Sequence, residues 1–107
     1  MAPRTITIQH LPGCPNLTLA RARLDEAIRR AGGVAPAVVL QEIPDPAAAE
    51  QVGFHGSPTI LLDGVDPFAG AATPPTFSCR IYQTGAGPQG APALEQIIAV
   101  LRPDTTH

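Results

Sequence analysis

The chain has no lysine and no tryptophan, one tyrosine, three phenylalanines and only two cysteines in 107 residues. All seven basic side chains are arginine, the formal net charge is −2 and the pI is about 5.8. That balance excludes a basic nucleic-acid-binding surface, so no nucleic-acid partner is expected. Two cysteines are too few for a disulfide scaffold. No stretch approaches the ~18 apolar residues of a membrane span, so no membrane partner is expected either. Residues 1–14 lack the basic start, apolar centre and small-residue cleavage site of a secretory signal. The expected compartment is the reducing cytoplasm, where a cysteine is more often a thiol than half of a disulfide. Hydrophobic residues make up 44% of the chain, and with so little net charge disorder is not expected.

What is present is enough apolar sequence for one domain over residues 1–107, with residues 102–107 as a frayed tail. A chain of this size buries about two-thirds of its unfolded surface without a metal or disulfide staple. No cofactor is expected. Alternating Thr and Ile over residues 5–9 predict a buried strand. His10-Leu11-Pro12-Gly13 breaks it, and Cys14-Pro15-Asn16 is expected to open a helix, Pro being tolerated in a first turn. Leu17, Leu19, Ala20, Leu24, Ala27 and Ile28 recur at helical spacing, and Gly32-Gly33 supplies a stop.

Residues 36–43 form a second predicted strand, apolar enough at its centre to be buried on both faces. A short helix over 47–52 follows, then a loop over 53–57 and a third strand over 58–64. Residues 65–76, rich in Pro, Gly and Ala, are expected to be an irregular excursion. A fourth strand is predicted over 77–83, a turn over 85–90 and a last amphipathic helix over 92–101. The order is β-α-β-α-β-β-α, which predicts an α/β domain. Its expected form is a central four-stranded mixed sheet with helices on both faces.

Two motifs carry chemistry. Cys14 lies where the first strand meets the first helix, so unpaired amides and the helix dipole would favour its thiolate. The alternative is a small buried hydrophobe. The second motif is Gly56-Ser57-Pro58-Thr59 ahead of an apolar strand and Gly64. Together the two resemble the thioredoxin superfamily, in element order over nearly the whole chain and in residues at these motifs. The resemblance implies a cis bond before Pro58, lying against Cys14. It also implies a Ser57 backbone free to pair with a substrate, and Pro15, Asn16, Ser57, Pro58 and Thr59 as the substrate-binding set.

Leu17 stands where a dithiol thioredoxin has its second cysteine. The other thiol is Cys79. In the expected topology strand four runs back up from the far end of the sheet, with Cys79 near its start. A disulfide needs Cα atoms within about 7 Å, and several strand residues at about 3.3 Å each would separate Cys79 from Cys14. The excursion over 65–76 is the one element able to bring it back. His10 and His55 flank the expected site, as partners of a thiolate, ligands of a soft metal or structural histidines. Asp66 opens the excursion, as a turn residue or as a proton donor folded over Cys14. Arg80 is a strand-edge charge or a neighbour that lowers the pKa of Cys79.

Three functions follow as expectations. The first is a thiol–disulfide oxidoreductase with Cys14 as nucleophile, acting on a disulfide-bearing protein. Release would come from Cys79 or a low-molecular-weight thiol. The second is soft-metal or organomercurial handling by Cys14, Cys79 and Asp66, residue types that match organomercurial lyases in inventory only. The third is a non-catalytic binding module on the same scaffold.

Overall fold

A computed structural model describes residues 3–69 and 74–102 of the chain. Residues 103–107 of the expected tail over 102–107, and part of the expected excursion, lie outside those residues. The elements are β1 (Thr5–His10), α1 (Leu17–Ala31), β2 (Ala37–Glu42), α2 (Pro46–Val52), β3 (His55–Ser57) and β4 (Thr59–Leu62). Then come β5 (Thr76–Cys79), β6 (Tyr82–Thr84), β7 (Gly87–Gln89) and α3 (Leu94–Leu101). Among the described residues no helix is long and apolar enough to cross a membrane.

The main sheet has three strands in the order β2-β1-β4. β1 runs parallel to β2, to which α1 connects it, and antiparallel to β4. The register stacks Ile6 between Val38 and Leu62, and Ile8 between Leu40 and Ile60. With period-two alternation these side chains share one face. Ile6, Ile8 and Ile60 meet Leu24 and Ala27 of α1 and Ile97 and Leu101 of α3 in the larger core cluster. The 24/27 and 97/101 spacings place each pair on one helical stripe.

The expected four-stranded sheet is not what forms. The predicted third strand, 58–64, forms as β4, but the predicted loop at 53–57 holds a further strand, β3. Between them Pro58 has no N–H for a ladder, and its bond to Ser57 is cis. The segments on either side join different sheets. β4 stays with β1, while β3 pairs in parallel with β5. The predicted fourth strand divides into β5 and β6, and β6 pairs with β7, which lies in the predicted turn over 85–90. β2 is corrected too. Among the described residues it is an edge strand of this sheet, and exposures of 47% at Val39 and 46% at Leu40 leave neither of its faces fully covered.

A second, smaller cluster lies under α2, where Ile43, Ala49 and Phe54 pack with Leu11, Ala48 and Phe77. Helix α2 starts cleanly. Asp45 accepts the Ala48 amide at 2.8 Å, and Pro46 occupies the first turn, where its missing N–H has no cost. Asp45→Ala is expected to lower stability by about 1 kcal/mol, measured by urea unfolding. An unchanged midpoint would mean that the helix start is held by packing alone.

Candidate functional site

Cys14 does not open α1 as expected. Asn16 is the N-cap, and Cys14 sits in the turn before it. Its amide donates to Leu11 O at 3.2 Å, and its carbonyl accepts from Leu17 N at 3.3 Å. The first helical amide is thus used by the Cys14 backbone and not by its sulfur. Cys14 is partly buried, Pro15 is exposed and Asn16 is partly buried. The Asn16 side chain lies so close to Gly90 that a Cβ there would come within 2.3 Å of Nδ2.

Leu11 joins this turn to the Ser57–Pro58 segment. Its amide donates to Ser57 Oγ at 2.9 Å. Ser57 is fully buried and Thr59 nearly so, and Pro58 is buried between them. The Ser57 carbonyl is not free for a partner, because it accepts the Arg80 amide at 2.9 Å. The chain's own β5 lies where an incoming strand was expected. Thr59 Oγ1 donates to Gly56 O, and the Tyr82 hydroxyl donates to Pro58 O.

Cys79 is likewise not at the far end of the sheet. β5 runs parallel to β3 and sets Cys79 opposite Ser57, where an antiparallel return strand was expected. The approach is tight at Gly56, whose φ is +111°. A Cβ there would be 2.9 Å from Arg80 Cβ. Cys79 is exposed, and both cysteines are free thiols.

The group that sequence reasoning left scattered is a polar cluster centred on Asp66. Its side chain is only 3% exposed and accepts from His55 Nδ1 at 2.8 Å and from Arg80 Nη1 at 2.6 Å. The Phe68 amide adds a third donor at 2.8 Å. The guanidinium of Arg80 lies 4.4 Å from the centroid of the Tyr82 ring, a cation–π distance. Phe68 meets the same ring edge-on at 5.7 Å. Asp66 and Arg80 stood out singly in the sequence. Tyr82 did not, and its only signal was to be the chain's one tyrosine.

Burial pushes the Asp66 carboxyl up. The hydrogen bonds from Arg80, His55 and the Phe68 amide, with the charge of Arg80, outweigh it and leave the carboxyl below its usual value. Asp66 is therefore an anion at neutral pH and not a ready proton donor. Burial pushes the Tyr82 phenol up against the opposing charge of Arg80, with Asp66 adding to the rise, so it stays protonated and donates. A depressed folded-state carboxyl stabilises the fold above its unfolded pKa, and that contribution disappears as pH falls through the folded value. Acid titration of unfolding free energy is expected to show a falling limb below the usual carboxylate range. Asp66→Asn should flatten it, and an unchanged limb would assign the loss to other carboxylates.

His10 is held locally, with Nδ1 3.0 Å from Leu11 O at the end of β1. Among the described residues no three His, Cys, Asp or Glu side chains gather into a metal-binding group. Cys14, Cys79 and Asp66 do not form one, nor do Cys14, His10 and His55. In comparisons with known proteins, no family model, no curated protein and no solved structure matches the chain.

Proposed function

We propose that the chain is a thioredoxin-like thiol–disulfide oxidoreductase with Cys14 as nucleophile and Cys79 as the second thiol. The order β2-β1-β4, with α1 crossing from β1 to β2, supports the topology, the missing fourth strand aside. The observation that carries the function is the position of Ser57. Its Oγ holds Leu11, which closes the Cys14 turn, and its register partner is Cys79. One buried residue thus links the segments bearing both thiols.

The chemistry is two exchanges. The Cys14 thiolate attacks one sulfur of a partner disulfide. A Cys14–partner disulfide forms, and the partner's other sulfur leaves as a thiolate. Cys79 or a low-molecular-weight thiol, as thiolate, then attacks the Cys14 sulfur and frees the partner's remaining sulfur. The partner leaves reduced by two electrons, and the new disulfide on Cys14 holds the oxidation. An external thiol restores the enzyme. No cofactor takes part. The reaction suits the reducing cytoplasm, where both thiols stay free between turnovers.

The test is to mix reduced protein with glutathione disulfide, quench with acid and map adducts by mass spectrometry. The expected sequence is a glutathione adduct on Cys14, followed by a Cys14–Cys79 disulfide and free glutathione. An unmodified Cys14 overturns the reading and turns attention to a binding role.

A further inference from the structure

Asp66 receives donors from three stretches of chain: His55 in β3, Phe68 in its own turn and Arg80 just after β5. A buried carboxylate persists only with such partners, so it fixes where those partners lie relative to one another. The two side-chain donors flank the paired positions of the site. His55 is two residues before Ser57, and Arg80 follows Cys79 directly.

Arg80 is held from two other sides. Its amide donates to Ser57 O, and its guanidinium stacks on Tyr82, whose hydroxyl donates to Pro58 O. The exchange reaction itself has no step for a carboxylate, because the attacking and leaving groups are thiolates. The geometry points to Asp66 as a positioning residue: its carboxylate clamps β5 on β3 and so sets Cys79 opposite Ser57, whose Oγ holds the turn that bears Cys14. The clamp stands on the contacts; its effect on exchange rests on the thiol reading above.

The full chain is compared with Asp66→Asn and Arg80→Lys. The first readout is hydrogen exchange of the Arg80 amide, expected to quicken at least about tenfold in Asp66→Asn while the β1 amides are unchanged. The second is the equilibrium in a glutathione buffer between the Cys14–Cys79 disulfide and glutathione adducts. Its effective concentration is expected to fall about tenfold in Asp66→Asn, about 30 mV for a two-electron couple. Arg80→Lys keeps a cation for Asp66 but loses the planar fork, so it should fall less. If Asp66→Asn does not fold, Arg80→Gln replaces it, removing the cation and leaving the carboxylate with His55.

A folded variant with an unchanged thiol equilibrium overturns the proposal. Faster amide exchange alone does so too, since it makes Asp66 a purely structural anchor. Wild-type protein that forms the Cys14 adduct but never the Cys14–Cys79 disulfide removes the positioning role and leaves Cys14 as nucleophile. Failure of Cys14 to react at all overturns the thiol reading itself.

Discussion

Replacing Phe54 by alanine is expected to lower the unfolding free energy by about 3–5 kcal/mol. Phe54 is fully buried in the smaller cluster with Ile43 and Ala49, and Leu11 and Phe77 pack against that cluster. Its backbone ties that cluster together as well, donating to Ala49 O and accepting from Thr76 N. A domain of this size has a total stability of about 5–15 kcal/mol, so the loss is a large share. Leu11 and Phe77 would lose the largest side chain of the cluster they pack on. They sit on the two segments that reach Ser57, so the thiol site should loosen along with the fold. Urea unfolding gives the number, and a change below about 1 kcal/mol would show that the cluster closes over the gap.

Cys14→Ser is expected to reduce disulfide exchange by on the order of 1,000-fold or more, because a serine hydroxyl is un-ionised where a thiol forms its thiolate. Cys79→Ser should behave differently. The first attack by Cys14 remains, so one equivalent of thiolate is released quickly, and the protein then waits as a mixed disulfide for an external thiol. Stopped-flow measurement with an aromatic disulfide separates the burst from the steady state. A burst lost in Cys79→Ser and kept in Cys14→Ser would exchange the two roles.

Much of the architecture was legible in local pattern. The Thr–Ile alternation marked β1, the Leu and Ala spacing marked α1, and the amphipathic pattern over 92–101 marked α3. Pairing was much less legible. β2 reads as doubly buried because Val38, Val39 and Leu40 are contiguous, yet whether a strand lies beyond it is decided by distant segments. β5 pairs in parallel with β3, a direction that no local periodicity encodes, which is why Cys79 was expected at the wrong end. His55, Asp66 and Arg80 were each visible. Their union was not, since strand ends and turns break the chain between them, and separations of 11 and 14 residues therefore lie on no single helix or strand.

The chain's single tyrosine, with no tryptophan, is Tyr82. Its ring lies between a guanidinium and Phe68, and its hydroxyl is bonded to the Pro58 carbonyl. The near-ultraviolet absorbance and intrinsic emission of the whole protein therefore originate almost entirely at this one place. The protein carries a built-in optical reporter there, and it needs no label. Loosening of the Arg80 stack would register as a spectral change before the helices melt, and far-ultraviolet dichroism followed in parallel would separate the two events.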